Sequence, residues 1–368
     1  MQFSFTGQQL EFRDAVRRVL AKECTTEAVR AAYEAPTTRT SRWATLAGLG
    51  VTGLTVPESH GGLGLGLVDL VPLIEEAGRA ALPEPLATTT GIAAPLLADI
   101  ADMADMAGGR SDSAGAAAST SFARVTILLT GIAGGDLSAA VADVRWPDLP
   151  VPGADGAELL VLVADTPDGP ELHALDGSKA TITPAPSLDP TRRLGTPQWE
   201  PSADTRLLAG DAARKAIDRT ADRAAVVTGA ELLGLADAMV AMTAGYARDR
   251  QQFGRPIGSF QAVKHLVAGA QVLLEFARPV VYAAAWALDE GSPDASRAAS
   301  VAKAYASEAA LEAARVSLQV HGAIGYTWEC DLHLFLKRTW ALAEAWGSAT
   351  DHRARLLDSL LGSPLESP

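Results

Sequence analysis

At about 150 residues per domain, a chain of 368 residues has room for two or three domains. Thirty-one Lys and Arg against 44 Asp and Glu leave a net charge of −13, which argues against nucleic-acid binding and docking on anionic membranes. With 48% hydrophobic and 20% charged residues the chain is not a disordered one. Its two cysteines, Cys24 and Cys330, make neither a disulfide framework nor a zinc cluster.

The first 100 or so residues read as helical. Gly7–Cys24 places Leu10, Phe12, Val16, Val19 and Leu20 near helical spacing. Its charges break the apolar pattern, so neither a signal peptide nor a membrane span is expected there, and no apolar run reaches a spanning length. The expected location is cytoplasmic. Ser41–Leu46 is a short helical piece. The glycine-crowded stretch that follows, with Pro57, Gly61 and Gly62, reads as a structured loop between helices. Helical spacing returns over Leu67–Ala80 and Leu86–Ala104, with Pro83 and Pro85 between.

Residues 106–121 are small and polar, and read as a linker or surface loop. From about 122 the pattern becomes one of short strands: RVTILLTG (124–131), AELLVLVAD (157–165) and GPELHALDG (169–177) are β-branched or alternating. Six to eight strands in a barrel or sandwich are expected up to about 207. Helices then dominate: Asp211–Arg250, Ser259–Leu288, Pro293–Val320 and Asp351–Leu361. Gly229, Gly234 and Gly245 lie in the first of these, where small residues allow close helix approach in a bundle. The expected fold class is α+β, ordered as an N-terminal helical domain (1–121), a small middle β-domain (122–207) and a C-terminal helical bundle (208–368).

Three segments carry the chemistry: GLTVPESHGGLGLGLVDLVPLIEEAGRAALPEPL (53–86), YARDRQQFGRPIGSFQAVKH (246–265) and QVHGAIGYTWECDLHLFLKR (319–338). On the residues alone, Arg250 is a fork of donors suited to diphosphate oxygens, or a surface arginine paired with Asp249 or Glu231. With the helix–strand–helix order, the three strings resemble the acyl-CoA dehydrogenase family. That resemblance implies an FAD flavoprotein that desaturates an acyl-CoA thioester. A carboxylate removes the α-proton, the β-hydrogen leaves as hydride to the flavin, and an electron-transfer flavoprotein accepts the electrons. It also implies tetramers in which the RxxFG and QxxGG segments of one subunit hold the FAD diphosphate and adenosine of its neighbour. Here these are Arg250, Gln252, Phe253, Ile257 and Phe260, and Gln319 and Gly322, the last expected to offer bare backbone N–H groups. Ala323 replaces the second Gly of QxxGG. Glu75, Glu76 and Arg79 resemble a segment whose charges serve helix contacts.

Two departures shape the functional expectation. Some family members carry the catalytic Glu after the last motif, a place occupied here by Gly347, with Trp346 at the family's Tyr and Thr339 at its Asp. Others carry it early in the long bundle helix, where this chain has Ala224, followed by Ala225. Asp222, with Arg223 beside it, and Glu344 are the substitutes nearest by; a two-residue shift turns a helical side chain by about 200°. The middle segment also lacks the family's clear flavin-lining strings: GIAGGDLSA (131–139) and GSKATIT (177–183) keep only fragments, so it is not expected to bind its own flavin. These departures resemble the non-catalytic, β-type subunit of actinobacterial α2β2 acyl-CoA dehydrogenases linked to sterol side-chain breakdown, whose homologous partner supplies the base. The alternatives are a self-sufficient homotetramer with a relocated carboxylate, and a flavin-free structural or interaction module. No metal site is expected.

Overall fold

The computed structural model describes residues 4–35, 40–107, 113–143 and 149–362, the side chains of 107 and 113–122 excepted. Contacts divide the chain into two compact units. One contains Met1–Ala31, Val71–Leu82 and Ala225–Pro368, the other Ala32–Leu70 and Pro83–Ala224.

Helices α1 (Gly7–Glu23), α2 (Thr26–Glu34), α3 (Ser41–Gly48) and α4 (Leu67–Arg79) open the chain. Thr6 and Gln9 close a capping box at the start of α1, which satisfies otherwise orphaned N–H groups. In the second unit, Trp43 on α3 is buried and its indole N–H donates to Gly135 O at 2.9 Å. Arg42 and Glu84 form a buried ion pair at 2.8 Å. After α5 (Leu86–Thr88) the helix widens into a π-helical stretch, Thr89–Ala93, and continues as α6 (Ala94–Ala107). Thr89 Oγ1 accepts the backbone N–H of Ala139, and Thr55 donates to Thr90 O. The widened turn therefore ties the helix to the strand and loop beside it.

Helix α7 covers Ser113–Ala133. The strand expected over Arg124–Gly131 and the linker expected over 106–121 are both corrected by it; 108–112 lie outside the described residues. Val125, Leu129 and Ile132 are fully buried whereas Ile127 is 70% exposed. The run VTILL satisfies both a period of two and one of 3.6, and burial selected the second.

Six short strands follow. The sheet order is β1 (Ala139–Val141), β2 (Leu159–Thr166), β3 (Gly169–Asp176), β6 (Arg206–Ala209), with β1 parallel to β2 and the other pairs antiparallel. Strands β4 (Thr181–Pro184) and β5 (Gly195–Gln198) form a second, two-stranded sheet. Ala140, Leu160, Leu162 and Leu175 of the first sheet share one core with Ile182 of the second and with Trp199.

The first unit is a bundle built on α8 (Gly210–Asp249) from Ala225 onward, α9 (Gln261–Asp289), α10 (Ala295–His321), α11 (Leu332–Glu344) and α12 (Ala349–Leu361). Helix α11 was not expected from the sequence. Helix α10 presents buried alanines at 299, 302, 306, 309, 310, 313 and 314. Small side chains let its neighbours approach, and a Cβ on Gly229 of α8 would sit 3.4 Å from Val281 of α9 and 3.5 Å from Ala306 of α10. Gly78 of α4 and Gly234 of α8 mark a tighter crossing, where added Cβ atoms would overlap the carbonyls of Glu231 and Glu75. Around that crossing Arg17 binds Glu76 at 2.6 Å, Arg278 binds Glu75 at 2.9 Å and Asp237 at 3.5 Å, and Arg79 also reaches Asp237. The EExGR-like charges thus hold helices together. Tyr282 donates to Glu75; burial and the Glu75 charge raise the hydroxyl's pKa, so it stays protonated.

Helices α8 and α9 are each long and apolar enough to cross a membrane by length and composition. The apolar window of α8 is 78% buried inside the protein, that of α9 only 22%.

Candidate functional site

Two of the three strings singled out in the sequence, 246–265 and 319–338, meet where Tyr246 stacks on His321. Helix α8 ends at Asp249, and Arg250 follows with its N–H closing on Tyr246 O at 2.8 Å. Strands β7 (Gln251–Gln252) and β8 (Arg255–Pro256) then form a minimal hairpin whose two loop residues, Phe253 and Gly254, have φ of 53° and 75°. Two consecutive positive φ values make the tight turn that matches strand twist. Glycine adopts this freely, but a phenylalanine is strained there. At this hairpin tip the Phe253 ring is 91% exposed and edge-on to Phe260 at 6.1 Å. The Ile257 N–H donates to Arg250 O at 2.8 Å and folds the hairpin back on the helix end.

The guanidinium of Arg250 is exposed and makes no ion pair among the described residues. Pairing with Glu231 is excluded by Arg338, which binds that carboxylate at 3.0 Å. Arg255, which the sequence reading did not single out, stacks its guanidinium 4.2 Å from the Phe260 centroid. A second planar cation therefore stands on the same hairpin.

Gln319 lies exposed near the end of α10. Gly322 terminates that helix at φ 64°, and its own N–H bonds to Leu318 O. The expectation that Gly322 offers a bare N–H is thereby corrected. What it contributes is open space, since nothing stands within 4 Å of where a Cβ would be. Two residues overlooked in the sequence join the strings. Tyr246 of α8 and His321 of α10 stack with ring centroids 4.4 Å apart at 19°, and Tyr246 Oη donates to His321 O at 3.4 Å. Burial lowers the His321 pKa and keeps the imidazole neutral, with Nδ1–H donating to Ser317 O at 2.8 Å. No spacing rule flags this pair, because it joins residues 75 apart. Beyond it, Tyr326 and Trp328 are 77% and 65% exposed, and Lys337 lies 4.0 Å above the Trp328 ring. His333 meets the same ring edge-on; burial, then the charges of Lys337 and Arg30, push its pKa down to about 4.

The donor set suits an FAD diphosphate and adenosine: a free guanidinium fork, a free side-chain amide at Gln319, a glycine with open space and exposed aromatic faces. All of it faces outward on the chain.

The expected base position is built differently. Between α11 and α12, Trp346 has φ 59° and Gly347 φ 97°. Lys303 of α10 is fully buried beneath, and its ammonium donates to Gly347 O at 2.9 Å, Ala343 O at 2.8 Å and Ser307 Oγ at 3.2 Å. His352 Nε2 binds Trp346 O at 3.0 Å, and Ser348 with Asp351 forms the capping box of α12. A Cβ on Gly347 would stand 3.2 Å from His352 Nε2. The turn is locked, and the side-chain direction at 347 points into helix α12. Glu344, the last residue of α11, is exposed. In the second unit, Ala224 is fully buried and Asp222 is 7% exposed. Arg223, read beside Asp222 as its acid–base partner, instead makes a two-point ion pair with Asp99 at 2.7 and 3.0 Å.

The domain models for the acyl-CoA dehydrogenase N-terminal and C-terminal domains match residues 6–104 and 214–361. The acyl-CoA dehydrogenase IpdE2 of Mycobacterium tuberculosis is 34% identical over 354 residues, covering 96% of this chain and 97% of its own. A variant of the Tcur3481–Tcur3483 steroid ACAD superposes with a TM-score of 0.79 at 28% identity, covering 96% of this chain and 98% of that one. The ChsE4–ChsE5 complex of Mycobacterium tuberculosis shares the fold, with a TM-score of 0.82 at 21% identity and full coverage of both chains. The chain therefore belongs to the acyl-CoA dehydrogenase family. Its class is that of flavoprotein oxidoreductases acting on acyl-CoA thioesters.

Proposed function

We propose that this chain is the non-catalytic subunit of a hetero-oligomeric acyl-CoA dehydrogenase, completing the FAD site of a homologous catalytic subunit. What carries the reading is the contrast between two places in one unit. At the family's base position stands a glycine at φ 97°, with its carbonyl held by buried Lys303. At the diphosphate-binding position stands Arg250, exposed and without an ion pair among the described residues.

In this reading Arg250 and Gln319 hold the diphosphate, and Phe253, Ile257 and Phe260 flank the adenosine. A bound FAD would supply the hydride acceptor for the β-carbon, with an electron-transfer flavoprotein as the expected electron acceptor. The proton from the α-carbon goes to a carboxylate of the catalytic subunit, because neither Gly347 nor Ala224 offers an acceptor. The names of the similar proteins, a steroid ACAD among them, support a bulky, sterol-side-chain-type acyl-CoA as substrate. The cytoplasm is the proposed site of action.

The test is expression with and without a homologous family member carrying the missing Glu. Co-purification of a yellow, active complex is expected, with a colourless or inactive chain alone. In that complex Arg250→Ala should lower FAD affinity about 10- to 100-fold, the loss of one charge-assisted contact, as measured by flavin fluorescence on dilution. A yellow, active oligomer of this chain alone overturns the proposal.

A further inference from the structure

The core between the two sheets of the second unit is open at one end. Strand β1 stops at Val141, paired with Val161, whereas β2 runs on to Thr166. The chain returns at Val151, which exchanges hydrogen bonds of 2.8 and 3.2 Å with Gly195 of β5. The side chains available to fill the space are short: Ala140, Ala142, Ala154 and Ala157 share the core with Val151, Leu160, Leu162 and Leu175. Methyl groups do not pack the interior to normal density past the end of β1, and a cavity of about 390 Å³ stands there.

Floor and rim differ in chemistry. Ala142, Val151 and Leu162 are buried core residues and line the floor, with the Trp199 indole beside them. His173 braces that indole, its ring tilted against it at a centroid distance of 5.0 Å. The imidazole is itself held by Thr205 at 2.9 Å and Glu171 at 3.1 Å. Asp165 and Thr196 line the same cavity and are exposed. Among the described residues, the Asp165 carboxylate, the Thr196 hydroxyl and the Trp199 indole N–H have no hydrogen-bond or ion-pair partner. No lysine or arginine is among the described lining residues.

An apolar floor of this volume with a few polar groups at the mouth of a small barrel is the usual form of a small-molecule site. The rim sets the sign of its ligand. A carboxylate without a cation draws a positive group and repels a negative one, and an indole nearby adds to the attraction for a cation.

We propose that this cavity binds a small organic cation, with a compact apolar body on Ala142, Val151 and Leu162 and an amine directed to Asp165. Coenzyme A, with its phosphates, has the wrong charge for this rim. The inference does not rest on the flavin reading.

The probe is amantadine, a hydrocarbon cage bearing an ammonium group, against adamantane carboxylate, which has the same cage and the opposite charge. In titration calorimetry of the full chain, amantadine is expected to bind once per chain with a dissociation constant of about 0.1 mM. The carboxylate should bind about tenfold more weakly or worse. Asp165→Asn should weaken amantadine about fivefold, the worth of an exposed charge contact, and narrow the gap between the probes. Thr196→Trp blocks the mouth from an exposed position without changing net charge, and should abolish binding; circular dichroism checks its fold. A second measurement needs no blocked variant. In wild-type chain labelled with fluorotryptophan, the fluorine resonance that Trp199→Phe removes should shift as amantadine is added. Equal affinity for the two probes, or binding unchanged in Thr196→Trp, would reduce the effect to an amine drawn to an acidic protein and overturns the proposal. A fluorine shift confined to the other tryptophans, or displacement of amantadine by coenzyme A, overturns it as well.

Discussion

Two turns in the bundle unit share an unusual backbone and differ in everything else. Trp346–Gly347 and Phe253–Gly254 each place a large aromatic residue and then a glycine at positive φ. The first pair is buried, with its carbonyls held by His352 and Lys303. The second stands at a hairpin tip with its ring 91% exposed. The same strain closes a turn in one place and projects a side chain in the other. The cost is met at the first turn by Lys303, which donates to Gly347 O, and by His352 at Trp346 O. In the second, the ring has an edge contact to Phe260 among the described residues, which leaves its faces available to a ligand or a neighbour.

The comparison breaks most sharply at the lysine. Lys303→Met strips two buried carbonyls of their donor and should cost about 2–5 kcal/mol in urea unfolding; a loss under 1 kcal/mol would mean the turn holds without it. Gly347→Glu comes next. It forces an acidic side chain into a left-handed conformation against His352, so about 1–3 kcal/mol of stability should go. No dehydrogenase turnover should appear in the chain alone, and turnover gained there would show that the position still faces a substrate. On the exposed side, Tyr246→Ala in the assembled complex should weaken FAD retention about tenfold by unstacking His321. Tyr246→Phe should keep it, since the stack survives and only a 3.4 Å hydrogen bond is lost. Equal losses in both variants would place the effect in the hydroxyl. The smallest effect is expected from Phe253→Asn. Asparagine accepts positive φ, so thermal stability should rise by up to about 1 kcal/mol, while FAD binding in the complex falls.

Much of this was legible in the sequence. The helical period marked α1, α4, α8, α9, α10 and α12 to within a few residues. The strings around Arg250 and Gln319 announced the family. Helix α7 was misread because Val125, Ile127 and Leu129 also alternate, and only packing shows Ile127 on the outside. Helix α11 escaped because LHLFL offers the same ambiguity.

The amino-acid order alone fixed which groups this protein owns: guanidinium, amide and aromatic residues in family strings. Side-chain identity is a local property, so one dimension suffices for it. Tertiary structure decided what those groups face. It buried Lys303 under Gly347, stacked Tyr246 on His321, and tied Glu231 to Arg338 so that Arg250 stays free of it. Each of these joins residues far apart in the chain, and burial brings them together only when all the helices are present.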